Sequence, residues 1–156
     1  MAELKIVGCD LQRNDHVVAF TNLMGIYMSH PMGLSAVLQP ELAGKMVDGL
    51  RLRPNYLGFL VQYGQMYVGL ANCFENFSTF KAKPLLNIHD FIVDKSYQRM
   101  GIGRFLLDGI VEYAKKHGHC RVNLEVRSDN PAAMSLYRQL GFIECKPPML
   151  FWERNL

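Results

Sequence analysis

The segment from Leu85 to Phe142 constrains the fold most, because it reads as strand, glycine turn, helix, strand and helix in that order. The turn is Gln98-Arg99-Met100-Gly101-Ile102-Gly103. Its two glycines let the backbone approach a ligand closely, and the N–H groups of a helix's first turn have no intrahelical partner. Such groups favour an anion. The pattern therefore predicts a phosphate-binding turn.

The composition fits one globular domain, residues 1–156, with a sizeable core, since 49% of the residues are hydrophobic. The net charge of +3 is mild and its basic residues are scattered. This distribution argues against a nucleic-acid partner. The apolar stretch from Val17 to Pro40 breaks at Ser29-His30-Pro31, so no membrane partner is expected either.

The amino terminus lacks the pattern of a signal peptide. The four cysteines show neither close pairing nor metal-ligand spacing, and the histidines have no companions at ligand spacing apart from His117-x-His119. We therefore expect reduced thiols, a cytoplasmic location and no metal.

Periodicity predicts the elements before the central segment. The predicted strands are Leu4 to Cys9 and a hairpin of Tyr56 to Tyr63 with Met66 to Phe77. The predicted helices are Asp15 to Tyr27, with Asn14 or Asp15 near its N-cap, and Glu41 to Leu50 after Pro40.

The central segment itself begins with a strand from Leu85 to Val93 and a helix from Ile102 to His117. Apolar and polar residues then alternate from Val122 to Arg127, so in a strand Glu125 points away from its aliphatic neighbours. Asn130-Pro131 predicts the next helix, with Asn130 as its N-cap.

The end of the chain predicts two short strands, Phe142 to Cys145 and Met149 to Arg154. The apolar run Met149 to Trp152 fits either a core strand or a homodimer contact. Together the elements predict an α/β (α+β) fold with a mixed, largely antiparallel sheet of six to seven strands and helices on both faces.

The turn resembles the Gln/Arg-x-x-Gly-x-Gly/Ala motif of the GNAT superfamily of N-acetyltransferases. Asn130, followed by Ala133 and Tyr137, is similar to that family's next motif, and the likeness covers residues 85–142. Two glycines alone often mark only a turn, but the strand, the helix and the second motif make the match specific. The resemblance implies the GNAT-like acyl-CoA N-acyltransferase fold.

The resemblance also implies acetyl-CoA as the acyl donor. In this family the pyrophosphate lies on the glycine turn and the pantetheine arm pairs with the preceding strand. The residues that correspond here are Gln98, Arg99, Met100, Gly101, Ile102, Gly103 and Arg104 in the turn, Phe91, Ile92 and Val93 in the strand, and Asn130 at the next N-cap.

Two subfamilies imply catalytic roles. The run Asn123 to Phe142 is similar to RimI-type ribosomal-protein N-terminal acetyltransferases, whose glutamate base and tyrosine acid correspond to Glu125 and Tyr137. The strand Leu85 to Val93 resembles that of polyamine acetyltransferases, in which a glutamate acting through water stands where this chain has His89.

These residue types suit the chemistry, because an amine with a pKa of about 10.4 must lose a proton before it attacks a thioester. Each residue also has a structural alternative. Tyr137 fits a core position, Glu125 fits an ion pair with Arg127 or Arg121, and a lone strand histidine such as His89 is usually structural. Asp90 either orients a cationic substrate or satisfies backbone groups.

The sequence therefore predicts direct transfer of an acetyl group to a primary amine of a small molecule or peptide. The acceptor itself is not readable, although Tyr27, His30, Tyr56 and Tyr67 are candidate pocket residues. A non-catalytic acyl-CoA-binding sensor and a bare interaction domain are the alternatives.

Overall fold

The computed structural model describes residues 2–156 and contains one sheet of five strands. The strands are β1 (Leu4–Gly8), β2 (Tyr56–Tyr63), β3 (Met66–Ser78), β4 (Lys83–Val93) and β5 (Val122–Leu124), and they lie side by side in that order. β1 to β4 pair antiparallel, and β5 joins β4 in parallel. The predicted mixed, largely antiparallel sheet is confirmed.

Four helices connect and cover these strands in the described residues. They are α1 (Asn14–Ser29), α2 (Pro40–Arg51), α3 (Ile102–Lys116) and α4 (Pro131–Gln139). Both ends of α1, α2 and α3 were predicted to within about two residues, and α4 begins at the predicted proline. Arg13, however, precedes α1 without a side-chain cap, whereas Asn130 caps α4 by accepting a hydrogen bond from the Ala133 N–H at 3.2 Å.

The helices lie on both faces of the sheet. On one face α1 and α2 pack against a core that includes Leu60, Leu70 and Ile92. On the other face Leu106 and Ile110 of α3 are fully buried in a core that also receives side chains of α4. This division follows from alternation along β2, which sends Leu60 to the first face and Phe59 and Val61 to the second.

The hairpin of β2 and β3 is also confirmed. Tyr63 pairs with Met66 across a tight turn in which Gly64 has a φ of 59°. A positive φ at this position suits glycine, because it has no Cβ to clash with the backbone.

The predicted strand count of six to seven is wrong, since the described chain has five strands. No strand forms after α4. β5 is only three residues long and offers little edge for a further strand to pair with. Met149, Leu150, Phe151 and Trp152 are 69–84% exposed, so they do not form a core strand. Contact between two copies of the chain stays a prediction.

Within residues 2–156, no helix is both long enough and apolar enough to cross a bilayer.

Candidate active site

The glycine turn begins α3 with its main chain open to solvent. Gly101 is the residue before the helix and has a φ of 79°, in the left-handed region that glycine tolerates best. Gln98, Arg99, Met100 and Gly101 are all exposed. The N–H groups of the first helical turn, from Ile102 to Arg104, therefore point toward an accessible surface with the positive end of the helix dipole behind them.

Side-chain hydrogen bonds fix this turn against the end of β4. The Gln98 side-chain amide donates to the Val93 carbonyl oxygen at 3.2 Å. Asp94 accepts a hydrogen bond from the Ser96 N–H at 2.8 Å and so orders the short 3-10 turn from Lys95 to Tyr97. Gln98 thus has a role in positioning the turn that its place in the motif did not reveal.

The second glycine of the motif lies where α3 approaches its neighbours. A Cβ atom on Gly103 would be 3.3 Å from Leu136 Cδ2 of α4, 3.7 Å from the Phe91 ring and 3.8 Å from Val93. The start of α3, the end of β4 and the middle of α4 therefore converge around this residue.

β4 has an open edge at the same place. β5 pairs only with Leu86, Asn87 and Ile88, so β4 continues to Val93 without a strand on that side. The Asp94 N–H donates to Val68 of β3. Because main-chain groups alternate between the two edges of a strand, those of Phe91 and Val93 face the open side. An extended ligand chain can pair with them.

Ile92 is different, since its side chain is 4% exposed and lies in the core beneath α1 and α2. By the same alternation its N–H faces β3. Of Ile92 and Val93, both predicted to contact acetyl-CoA, only Val93 has its N–H on the open edge.

Tyr137 projects from α4 toward the end of β4. Its ring centroid is 6.4 Å from that of Phe91 and 5.9 Å from that of Phe142. Burial, with a smaller contribution from the nearby Tyr27 hydroxyl, raises the pKa of Tyr137 to about 12. The phenol is therefore neutral at physiological pH and available as a proton donor.

A β-bulge places His89 and Asp90 together. Asn72 of β3 pairs with Asp90 and the next residue, Cys73, pairs with Ile88, so His89 is the extra residue. The bulge changes the phase of β4: Ile88 lies in the core beneath α3, whereas Asp90 lines a cavity on the α1 and α2 face. His89 lines the same cavity, which has a volume of about 300 Å³.

Glu125 lies elsewhere. β5 ends at Leu124, so the predicted alternation through Arg127 is wrong and Glu125 is an exposed residue just beyond the strand. Arg127 pairs with Asp129 at 2.7 Å instead. Among residues 2–156 Glu125 forms no ion pair, and it does not line the cavity that holds His89.

Sequence reasoning missed a buried polar network behind Asp90. Asn72 is 2% exposed, its side-chain amide nitrogen donates to Asp90 at 3.0 Å, and its side-chain amide oxygen accepts from the Tyr56 hydroxyl at 2.9 Å. Asn72 is a polar residue within an otherwise apolar run from Val68 to Cys73, and this was the available signal.

The remaining candidate pocket residues are Tyr27, His30 and Tyr67, and each has different surroundings. Tyr27 is half-buried, and burial followed by the charge of Asp90 raises its pKa. His30 accepts a hydrogen bond from the Met32 N–H, and Tyr67 donates to Asp15 at 3.3 Å. A larger groove of about 870 Å³ lies between α1 and α2 and contains none of the candidate catalytic residues.

Comparison with known proteins decides the family. A model of the Acetyltransferase (GNAT) family matches residues 22–142. The chain belongs to this family. Both the match and the observed fold confirm the resemblance drawn from the glycine turn.

Curated relatives of this GNAT chain match it in part. The [ribosomal protein bS18]-alanine N-acetyltransferase of Escherichia coli (strain K12) is 44% identical over 57 residues, which are 36% of this chain and 38% of that protein. The N-alpha-acetyltransferase RimI of Mycobacterium tuberculosis is 47% identical over 55 residues, 35% of this chain and 33% of that protein. The chain thus spans little more than a third of the relatives it matches.

Solved structures share the whole GNAT fold. A probable acetyltransferase covers 97% of this chain and 98% of its own, with a TM-score of 0.84 and 18% identity. An aminoglycoside acetyltransferase from an uncultured soil metagenomic sample, in complex with trehalose, covers 98% and 96% with a TM-score of 0.79 and 19% identity. At these identities the likeness shows the fold alone.

Proposed function

We propose that this GNAT chain is an acetyltransferase that transfers the acetyl group of acetyl-CoA directly to a primary amine. The observation that carries the proposal is the convergence around Gly103. There an exposed helix N-terminus, an open strand edge and the ring of a neutral tyrosine lie within one region.

The chain's main-chain groups suit the acyl donor. The N–H groups from Ile102 to Arg104 would bind the diphosphate, with Arg99, Met100 and Gly101 shaping the turn and Gln98 fixing it to β4. Arg104 donates to Gln139 at 2.6 Å, so its guanidinium is partly engaged within the protein. Phe91 and Val93 would pair with the pantetheine arm, and Ile92 would hold the strand in place from the core. Asn130 caps α4 and so positions Tyr137.

Acetyl-CoA would supply a thioester whose carbonyl carbon accepts the amine nitrogen. A base, Glu125 or His89, takes a proton from the ammonium, directly or through water. The C–N bond forms, the C–S bond breaks, and the Tyr137 hydroxyl gives its proton to the departing thiolate. The tyrosinate regains a proton by taking the second one that the nitrogen loses as it becomes an amide, directly or through water. The Val93 N–H faces the open edge where the carbonyl oxygen would develop negative charge.

His89 and Glu125 have different support as the base. His89 is the bulge residue and shares a cavity with Asp90, so a substrate bound there would contact it. Glu125 is supported only by the likeness to RimI-type enzymes around Asn123 to Asn130. The position of His89 makes it the favoured base.

The defining experiment is a screen of primary amines, with thiol release from acetyl-CoA as the readout and mass spectrometry of the product as confirmation. The expected result is thiol release that depends on the amine and yields an N-acetylated product. The matched control replaces each amine by its alcohol analogue, which should release no thiol above the hydrolysis background.

A non-catalytic acyl-CoA sensor is the second candidate. It would bind acetyl-CoA as an acetyltransferase would, yet it would show no amine-dependent thiol release. A Tyr137→Phe variant would not alter its binding. Absence of acetyl-CoA binding altogether would contradict both candidates and leave an interaction domain.

A further inference from the structure

The hairpin of β3 and β4 extends beyond the rest of the sheet. In this direction β2 pairs with β3 no further than Phe74, and β5 pairs with β4 no further than Leu86. The three pairs beyond them, which end with Ser78 opposite Lys83, have no strand beside them in the described chain. This protruding ribbon closes in a turn, and we call residues 77–83 the β3–β4 tip.

Two phenylalanines of the β3–β4 tip lie in solvent. Phe77 is 63% exposed and Phe80 is 100% exposed. The turn that carries them is ordered, because Ser78 is 5% exposed and its hydroxyl oxygen accepts a hydrogen bond from the Lys81 N–H at 3.3 Å. Apolar surface is stabilised by removal from water, so two exposed rings on an ordered turn indicate a contact surface.

The fold gathers cationic side chains around these rings. Lys81 and Lys83 are exposed residues of the tip itself. At the base of the hairpin the Cys120 N–H donates to the Pro84 carbonyl oxygen at 2.8 Å. This hydrogen bond places the next residue, the exposed Arg121, beside the hairpin.

The end of α3 adds a fourth cation. His119 Nε2 lies 2.9 Å from Glu75 Oε2 of β3, and this contact holds the segment after α3 against the base of the hairpin. The exposed Lys116 is the last residue of α3 and shortly precedes that contact. Lysines and an arginine from three separate parts of the chain therefore lie at one end of the sheet.

These cations have no carboxylate partner within residues 2–156. No carboxylate oxygen of the described chain lies within 4.0 Å of the side-chain nitrogens of Lys81, Lys83, Lys116 or Arg121. The carboxylates of the adjoining elements are engaged elsewhere, since Glu75 contacts His119 and Glu112 is paired with Lys115 at 2.7 Å. The surface therefore carries uncompensated positive charge. Separation of the four residues along the chain concealed this grouping in the sequence.

Charge and shape together select the partner. A second copy of this surface would bring like charges together, which disfavours self-association. A nucleic-acid strand would need a groove that follows its backbone, whereas neither of the two cavities described above contains a residue of the tip. A bilayer with anionic lipids accepts a protruding tip, because aromatic rings enter the interface while cationic side chains contact the headgroups.

We propose that the β3–β4 tip binds the surface of an anionic lipid bilayer, with Phe77 and Phe80 in the interface and the four cations at the headgroups. The contact is peripheral and needs no spanning helix, so it differs from the spanning stretch that the sequence argued against. β4 runs from Lys83 to Val93, so the glycine turn lies at the other end of this strand and stays free. The proposal does not depend on acetyl transfer.

Flotation of the full chain with lipid vesicles tests the proposal. The vesicles contain phosphatidylcholine alone or equal parts of phosphatidylcholine and phosphatidylglycerol. The wild type should float only with the anionic vesicles, and less so at high ionic strength, because salt screens the attraction. Phe80→Ser should lower the partition coefficient about tenfold or more, since it removes the burial of one aromatic ring. Met66→Ser is the matched control, because Met66 is 58% exposed at the opposite end of β3, and it should bind as the wild type does.

Two further comparisons separate the tip from other surfaces. Lys81→Gln should lower the partition coefficient about fivefold, whereas Lys95→Gln, which removes an exposed lysine beside the glycine turn, should leave it unchanged. Trp152→Ser tests the exposed C-terminal run as an anchor and should also leave binding unchanged. Loss of binding in Trp152→Ser with retention in Phe80→Ser would overturn the proposal.

Other results would also overturn it. Absence of flotation, or equal flotation with neutral and anionic vesicles, would contradict an anionic lipid partner. Binding of a fluorescent deoxythymidine oligonucleotide that Phe80→Ser abolishes, without vesicle binding, would assign the tip to nucleic acid instead. Self-association in analytical ultracentrifugation that Phe80→Ser abolishes would assign it to a second copy. Because Phe80 is fully exposed, Phe80→Ser is expected to fold as the wild type does, which circular dichroism checks.

Discussion

A methyl group on Gly103 would lie 3.3 Å from Leu136 Cδ2, so α3 and α4 approach each other where α3 has no side chain. That distance is shorter than an ordinary carbon–carbon contact of about 3.5–4.0 Å. The contact between the two helices therefore depends on the absence of a Cβ at this position.

This contact predicts an unequal effect of adding a methyl group to two helical glycines. In Gly44→Ala the new Cβ meets nothing within 4 Å, so the variant should gain about 1 kcal/mol of unfolding free energy from helix propensity. Gly103→Ala should lose most of that gain to the tight contact with Leu136. Urea unfolding measures both, and equal gains would show that α4 moves aside without cost.

Acetyl-CoA binding should depend on Gly101 because of charge at the turn. Gly101→Glu places a carboxylate beside the expected diphosphate and should reduce affinity below detection by calorimetry. Gly118→Glu is the matched control, since Gly118 also has a positive φ (75°), also has nothing within 4 Å of a new Cβ, and lies at the other end of α3. Both variants carry a similar backbone strain of about 1–2 kcal/mol. Normal affinity in Gly101→Glu would rule out the diphosphate site.

Tyr137→Phe should reduce kcat by about a hundredfold or more while leaving acetyl-CoA affinity unchanged, because only the proton donor is removed. Tyr113→Phe on α3 is the control, since that tyrosine packs against the same core, and its kcat should stay near the wild-type value. An unchanged rate in Tyr137→Phe would remove the acid role.

The raised pKa of Tyr137 also predicts a change in stability at high pH. Its pKa is 10.0 in the reference state and about 12 in the fold, so the folded state retains the proton longer. The resulting contribution to the free energy of unfolding is fully present below pH 10 and is lost as the pH rises toward 12. The midpoint temperature of thermal unfolding should therefore fall less steeply with pH in Tyr137→Phe than in the wild type across this interval. Parallel curves for the two proteins would contradict the shift.

The two candidate bases are separable by their pH–rate profiles. If His89 is the base, His89→Ala should remove the acid limb of kcat/KM and Glu125→Gln should leave it in place. The reverse result would assign the base to Glu125. Retention of the limb in both variants would assign proton removal to water or to another residue.

The cysteines should differ in reactivity. Burial raises the pKa of Cys9 to about 11, and burial with the charge of Asp90 raises that of Cys73 to about 12, so both remain protonated thiols at pH 8. Cys145 is exposed. Iodoacetamide at pH 8, followed by peptide mass spectrometry, should label Cys145 first. Early labelling of Cys73 would indicate that β3 opens in solution.

The features that local patterns determine were readable from the sequence. The Asn130-Pro131 pair predicted the start of α4 because a side-chain cap and a proline act within one helical turn. The glycine turn was likewise predicted from residues that are adjacent in the sequence. The family followed from these two motifs, since they occur at the spacing that one strand and two helices require.

The features that depend on distant residues were not readable. The length of β5 is set by its pairing with β4 at Leu86–Ile88, so alternation through Arg127 gave no sign of where it ends. The bulge at His89 is visible only when β3 is laid beside β4. The link between Asn72 and Asp90 joins residues 18 positions apart, and neither has a local signal for the other.

The extra residue in β4 decides how the strand would respond to a change in its length. Deletion of His89 would leave Asp90 opposite Asn72 and Ile88 opposite Cys73, so both residues would keep their present faces in a strand that alternates regularly. The deletion would remove the histidine and the local bend that a bulge gives to a strand. A single codon lost at this position would therefore preserve both hydrophobic layers while removing a candidate base.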